Sequence, residues 1–283
     1  MRSNPFTIPY YLIALSTCIG LSANAQKLPN VQATGIYAPA NVKVDGKATE
    51  WGNQLQAYNK NTSLFYTLAN NNDNIYLTIQ ANDKVALQKA IGGGITFTIT
   101  SKEKGAKAVS VSTPYLLGSN RSKITQKINI QDTLIEADLP VLNNVISANF
   151  KEISIKGIAA IPDSTISIYN EHGIKISGLI DINKAYTCEL AIPLKYIKQL
   201  TGTAGTFNYN LKLNGIKSEA VVIKDGSNNM STTAIAGALR QMGGMTVGDG
   251  VTVVGTARSV YGASPMELMN PTDFSGTYTL VKK

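Results

Sequence analysis

Few residues in this 283-residue chain could carry out nucleophilic catalysis or bind a transition metal. His172 is the single histidine, and Cys188 is the single cysteine that follows residue 25. One histidine cannot form a multi-histidine metal site, and no G-x-S-x-G motif is present. Because apolar residues and a proline surround Cys188, we expect a buried, unreactive thiol. We expect His172 to lie in a solvated turn. The histidine, cysteine and serine motifs of the chain therefore favour a protein that is not an enzyme.

A pair of carboxylates could in principle hydrolyse a glycosidic bond. The candidates are Asp45, Glu50, Asp83, Asp181 and Glu189. Their spacing pairs no two of them, so a glycoside-acting hydrolase is the less favoured alternative. For Glu189 we favour a carboxylate that anchors a neighbouring strand or loop. Asp45 and Gly46 predict a β-turn in which the aspartate caps the backbone and the glycine adopts a positive φ.

Oxygen-bearing side chains offer one possible cation site. Asn72 and Asp73 belong to an Asn-rich turn, and Asp83 follows the next predicted strand. Calcium binds 6–8 oxygen ligands and usually several carboxylates. These three residues are therefore calcium candidates, although a plain hairpin turn is favoured and no other cofactor is expected.

Aromatic side chains are the remaining groups that could recognise a ligand. We take Tyr58, Tyr66, Tyr76 and Tyr115 as candidates for stacking on sugar rings, with their hydroxyls available for hydrogen bonds. The alternative is that tyrosines on alternating strands face the core. A structure in which these rings are buried would remove the stacking hypothesis.

The first 25 residues have the pattern of a secretory signal peptide. A basic start at Arg2 is followed by an apolar run and by small residues that end at Ala25. The apolar run is too short and too interrupted for a transmembrane helix. We therefore predict cleavage after Ala25 and an exported protein that is periplasmic, surface-located or released. Lipid attachment at Cys18 is the less favoured alternative.

The net charge and the spacing of the basic residues limit the classes of partner that this chain is expected to bind. The formal net charge is +8, yet the lysines are scattered and no basic run is interleaved with aromatic residues. Nucleic-acid binding is therefore not expected. The basicity favours solubility or contact with acidic surfaces and polymers.

The elements that must position these residues are mostly short strands. Alternating residues in 64–68 and 75–79 predict a hairpin around the Asn-rich turn, and 94–101 with 106–113 predict a second hairpin. Short helices are expected at 84–91 with Asp83 as N-cap, from Pro193 onward, and within 132–147 with Pro140 interrupting it. Residues 228–269 are rich in Gly and Met and predict a long flexible loop or insert. The pattern predicts one all-β domain over residues 26–283, an antiparallel two-sheet sandwich of jelly-roll type.

Four motifs in order resemble those of the family-9 carbohydrate-binding-module-like domains of secreted bacterial proteins, which belong to the wider DOMON-like β-sandwich group. They are "DGK" with "EW" at Asp45–Trp51, "YTLANNNDNIYLTIQAND" from Tyr66, "GGGITFTI", and "YTCELAIPLKYI" with Glu189 and Pro193. The resemblance implies a β-sandwich in which Asp45, Gly46, Glu50, Trp51, Glu189 and Pro193 are structural. It also implies that Trp51 packs onto the sandwich rather than forming a sugar platform.

The resemblance implies glycan binding in some relatives, with structural calcium in some. We therefore expect an exported, non-catalytic binding protein, with a carbohydrate or cell-envelope glycan as the leading partner. The alternative is a structural or protein-interaction component of the periplasm or cell surface, with 228–269 as its contact segment.

Overall fold

The computed structural model describes residues 27–102, 107–130, 134–216, 221–223, 245–247, 251–254 and 265–283. The predicted signal peptide at 1–25, its cleavage after Ala25 and the alternative lipid site at Cys18 lie outside the described residues.

Two six-stranded sheets form the sandwich that the sequence predicts. Sheet A contains β1 (Ile36–Tyr37), β2 (Ala57–Asn59), β3 (Leu64–Asn70), β4 (Asn74–Ala81), β9 (Lys175–Ile180) and β10 (Tyr186–Pro193). Their order is β1-β3-β4-β10-β9, with β2 paired to β3, and all the pairs are antiparallel except β1 with β3. The predicted hairpin around the Asn-rich turn is confirmed as β3 and β4.

Sheet B contains β5 (Ile95–Thr100), β6 (Ala108–Ser112), β7 (Glu152–Lys156), β8 (Thr165–Ser167), β11 (Thr206–Leu213) and β15 (Thr272–Thr279). It is antiparallel throughout and has the order β15-β11-β5-β6-β7-β8. The second predicted hairpin is confirmed as β5 and β6. The all-β, two-sheet antiparallel prediction is therefore confirmed.

Alternating side chains from the two sheets form the core. Phe97 of β5 and Phe207 and Tyr209 of β11 are buried, whereas their polar neighbours on each strand are partly exposed. Tyr66 of β3 is fully buried, and its hydroxyl lies 2.9 Å from the hydroxyl of Tyr209. This bond joins the sheets and gives the buried Tyr209 hydroxyl a partner, while the Tyr66 hydroxyl also accepts a 2.7 Å bond from the Gln32 amide.

Sheet A differs from sheet B because its outer face is also covered. Thr67 of β3, Thr78 of β4 and Glu189 of β10 point away from the core, yet all three are buried. The cover is residues 45–56, here called the roof segment, whose far end is held by a 3.0 Å bond from the Gln56 amide to the Thr67 hydroxyl. Almost every residue of the central strands β3 and β10 is therefore buried.

Helix α1 (Lys84–Gly93) begins as predicted, because the Asp83 side chain accepts hydrogen bonds from the backbone amides of Val85 and Ala86. Helix α2 (Gly118–Ile130) was not predicted. Helix α3 (Asp138–Asn149) falls in the predicted region, but Pro140 lies in its first turn instead of interrupting it. The helix predicted from Pro193 is instead two 3-10 turns, Leu194–Tyr196 and Lys198–Leu200, and Pro193 ends β10.

Most of the predicted insert at 228–269 lies outside the described residues. Inside that range the structure has β13 (Met245–Val247), β14 (Val251–Val254) and α4 (Pro265–Met269), and β14 pairs with both β13 and β12 (Val221–Ile223). The loop and single-domain assignments stay predictions. Among the described helices, none combines the length and hydrophobicity that crossing a membrane requires.

Replacing Asp138 by Asn should lower stability at neutral pH and have less effect in acid. Lys127 of α2 lies 2.8 Å from the Asp138 carboxylate, and this bond is the main reason that the pKa of Asp138 falls below its ordinary 3.8. A carboxyl whose folded pKa is depressed contributes stability above its unfolded pKa and loses it as the pH falls through the folded value. Urea unfolding of the wild type and Asp138→Asn at about pH 7 and about pH 2.5 measures this, and equal differences at both pH values would contradict it.

Candidate ligand-binding cleft

Glu189 fastens the roof segment to sheet A. One carboxylate oxygen accepts hydrogen bonds from the backbone amides of Asp45 and Gly46, both at 3.0 Å. The other oxygen accepts from the indole Nε1 of Trp51 and the hydroxyl of Thr78, both at 3.3 Å. Glu189 is only 2% exposed, and burial raises the pKa of its carboxyl despite these donors. The structure thus places Glu189 in the anchoring role favoured by its sequence context.

The roof segment begins with the turn at Asp45 and Gly46. The Asp45 carboxylate accepts a 3.0 Å bond from the Lys47 amide, and Gly46 has a φ of 86°. Thr49–Trp51 then form a 3-10 turn, in which the Glu50 carboxylate accepts a bond from the Thr49 hydroxyl at 2.9 Å. The Trp51 ring is half-buried against the sheet. The roof segment is therefore attached to β10 through the amides of Asp45 and Gly46 and the indole of Trp51.

A cleft of about 710 Å³ opens beside the roof, over the outer face of sheet A. Its floor is made by Gln80 of β4, Thr187 of β10 and Leu179 of β9, which occupy one transverse row of the sheet. The roof segment forms one wall, and α3 with the end of β9 forms the other. The lining residues are Gly46, Lys47, Ala48, Thr49, Asn53, Gln80, Glu136, Leu139, Pro140, Asn143, Leu179, Ile180, Asp181, Ile182 and Thr187.

The cleft combines apolar patches with a few polar side chains. The apolar lining consists of Leu139 and Pro140 on the helix wall, Leu179 on the floor, and Ile182, which is 39% exposed. Gln80 donates a 3.2 Å hydrogen bond to the Thr187 hydroxyl, which orients both groups on the floor. This volume and this mixture are typical of small-ligand sites.

Asn143 holds the α3 wall in place. Its amide donates to the carbonyl of Ile180 at 3.0 Å, and its carbonyl accepts from the amide of Ile180 at 2.8 Å. Ile180 lies at the end of β9, the edge strand of sheet A, so Asn143 takes the place of a neighbouring strand. The wall is therefore fixed by the same sheet that provides the floor.

Two carboxylates line the cleft. The Asp181 side chain accepts bonds from the amides of Asn183 and Ala185, at 2.9 and 2.8 Å, and so shapes the turn between β9 and β10. Glu136 is exposed at the rim. Within the described ranges, no group of three or more His, Cys, Asp or Glu side chains is arranged to hold a metal ion.

The four tyrosines predicted to stack on sugars do not line this cleft. Tyr66 is 0% exposed in the core, so its assignment as a stacking residue is wrong. Tyr58 packs on Phe65 with ring centroids 4.5 Å apart, and the Tyr76 hydroxyl accepts a 3.1 Å bond from Asn71. Tyr115 is 38% exposed just before α2. They therefore do not form one sugar-binding platform.

The structure also separates the three calcium candidates. Asn72 and Asp73 lie in the turn before β4, whereas Asp83 lies after this eight-residue strand, roughly 25 Å away. Asp83 is engaged as the N-cap of α1. The proposed grouping of Asn72, Asp73 and Asp83 is therefore wrong.

Cys188 and His172, the two other reactive side chains noted in the sequence, lie in surroundings that indicate a structural role. Cys188 is buried in β10, and burial raises the pKa of its thiol to about 12, as expected for an unreactive cysteine. His172 lies in a turn as predicted but is half-buried, and its carbonyl accepts a 3.1 Å bond from the Tyr196 hydroxyl.

Comparisons of the chain with protein-family models, curated proteins and solved structures give no match. The resemblance to family-9 carbohydrate-binding-module-like domains stays a prediction. In the fold, two of its motifs meet directly, because Glu189 of the late strand binds the Asp45–Gly46 turn and Trp51 of the opening motif.

Proposed function

We propose that this protein is an exported, non-catalytic binding protein that holds a carbohydrate or cell-envelope glycan in the cleft over sheet A. The observation that carries the proposal is the cleft itself, a cavity of about 710 Å³ between a fixed roof and a fixed helix wall. The assignment of export depends on the pattern of residues 1–25.

The lining suits a polyhydroxylated ligand without aromatic stacking. The C–H faces of a sugar ring pack against Leu139, Leu179 and Ile182, while hydroxyl groups bind the side chains of Gln80 and Thr187 on the floor. This replaces the tyrosine platform expected from the sequence. Such a site binds by matching apolar and polar surface in a preformed cavity.

Affinity electrophoresis on a panel of neutral polysaccharides and envelope glycans tests the proposal. We expect retardation of the wild type on at least one member of the panel. Replacing Ile182 by Lys removes apolar contact at the rim and should weaken that retardation roughly tenfold, since losing most of an apolar side-chain contact costs about 1.5 kcal/mol.

Leu117→Lys is the matched control, because Leu117 is also 39% exposed and does not line the cleft. It should bind as the wild type does. Absence of retardation on every glycan, or equal loss in both variants, would overturn the proposal.

A further inference from the structure

We propose that a second groove, at the opposite end of sheet A, binds an anionic polysaccharide. It consists of two depressions of about 910 and 430 Å³ that share Lys195, Lys198 and Gln199 on the ridge between them. Lys282 lines the larger depression. We call this surface the basic groove, and its function goes beyond the glycan binding proposed for the cleft.

Two short turns and a backbone hydrogen bond place the lysines of the basic groove at the surface. After β10 ends at Pro193, two 3-10 turns expose Lys195 and Lys198. The first turn is tied to the β3–β4 turn by a 2.7 Å bond from the Leu194 amide to the Asp73 carbonyl. Lys282 is brought to the same place by a 2.9 Å bond from the Leu280 amide to the Gly205 carbonyl.

Positive charge in the basic groove is not balanced locally. Asp73 is the only carboxylate side chain among the described residues that line the larger depression, which contains three lysines. No carboxylate in the described residues lies within salt-bridge distance of Lys195, Lys198 or Lys282. Lys195 instead lies over the Tyr196 ring, 5.0 Å from its centroid. A concave surface with unpaired ammonium groups attracts anions.

The neutral lining indicates which kind of polyanion fits. Gln199, Thr203 and Asn72 add amide and hydroxyl groups between the lysines, and these match the hydroxyls of a sugar chain. Two depressions in series suit a polymer that crosses the ridge. Single-stranded nucleic acid binding uses aromatic rings that stack on bases. Here the ring of Tyr196, which lines the smaller depression, is buried.

The basic groove and the cleft are separate sites. Asn74 at the start of β4 lines the groove, and Gln80 lines the cleft six residues further along the strand, roughly 20 Å away. Variants at one site should therefore leave the other unchanged.

Binding of polygalacturonate and dextran sulfate to the full chain, measured by calorimetry at about 50 mM and about 500 mM salt, tests this proposal. We expect affinity for at least one of these polymers at the lower salt concentration and a steep fall at the higher one. The triple variant Lys195→Gln, Lys198→Gln, Lys282→Gln should bind roughly tenfold more weakly, at about 0.5 kcal/mol for each exposed charge. Binding to only one polymer supports the site and identifies the anionic group.

A matched triple variant, Lys43→Gln, Lys151→Gln, Lys175→Gln, removes the same charge from exposed positions outside the groove. It should bind as the wild type does. Equal loss in both triple variants would show that only net charge matters and would overturn the proposal. Absence of binding to both polymers, or tighter binding to phosphatidylglycerol vesicles or to RNA, would also overturn it.

Discussion

Replacing Glu189 by Ala should lower the free energy of unfolding by about 3 kcal/mol. The substitution removes a carboxylate that accepts hydrogen bonds from two backbone amides, an indole and a hydroxyl. The buried amide of Gly46 and the hydroxyl of Thr78 would then lack this partner, and an unsatisfied buried polar group costs about 1–3 kcal/mol. Because these bonds hold the roof, the variant should also lose ligand binding in the cleft.

Glu189→Gln separates the hydrogen bonds from the charge. Glutamine can keep its carbonyl towards the Asp45 and Gly46 amides and donate to Thr78, but it cannot accept from the Trp51 indole through its NH₂ group. We expect a cost of about 1 kcal/mol, close to the value of one lost hydrogen bond. Trp51→Phe, which removes the same indole donor, should cost a similar amount.

The pH dependence of the Glu189 contribution has a definite sign. Burial raises the folded pKa of this carboxyl above its ordinary 4.5. The resulting stabilisation is fully present below the unfolded pKa and is lost as the pH rises through the folded pKa. Urea unfolding should therefore show the stability of the wild type falling relative to Glu189→Gln as the pH rises above 4.5. If the stability of the wild type instead rose relative to that of Glu189→Gln with increasing pH, the burial of the Glu189 carboxylate would be contradicted.

Gly46→Ala should lower the free energy of unfolding by about 3 kcal/mol and disturb the cleft. At the φ of 86° an added Cβ would lie 2.9 Å from the backbone nitrogen of Leu179 and 3.0 Å from the carbonyl carbon of Gly178. The left-handed conformation alone costs an alanine about 1–2 kcal/mol, and relief of the overlap must move either the roof or β9. Thermal or urea unfolding, with glycan retardation measured on the same variant, gives the result.

Gly52→Ala provides the control for conformation alone. Gly52 ends the 3-10 turn with a φ of 62°, and nothing lies within 4 Å of its ideal Cβ position. We expect Gly52→Ala to lower the free energy of unfolding by about 1 kcal/mol and to leave glycan retardation unchanged. If both variants were equally destabilised, close packing of the Asp45–Gly46 turn on β9 would not be the reason that Gly46 is required.

Local patterns in the sequence predict those parts of the fold that depend on neighbouring residues. Leu64, Tyr66 and Leu68 alternate along β3, and Asp83 caps α1 through amides two and three residues ahead. Both features follow from short-range geometry. Helix α2 is not predicted because most of its residues are polar. Its buried isoleucines, Ile124 and Ile128, span a single turn, which is too short a pattern to indicate a helix.

Long-range packing explains the errors at the site. Alternation assigns Tyr66 to one face of β3 but does not say that this face is the core, and the assignment of Tyr66 as a stacking residue is wrong for that reason. The cleft unites Lys47, Leu139 and Thr187, which are far apart in the chain. No local pattern marks Leu139 or Asn143 as the wall of a cavity. The available signal is the presence of polar residues on the central strands, Gln80 in β4 and Thr187 in β10.

Hydrogen exchange of the full chain, with and without the glycan that retards it most strongly, tests the cleft most directly. We expect slower exchange of backbone amides in residues 46–49 and 179–182, the roof and the end of β9. Unchanged exchange in both segments, with protection only around Tyr115 or elsewhere on the surface, would contradict glycan binding in the cleft.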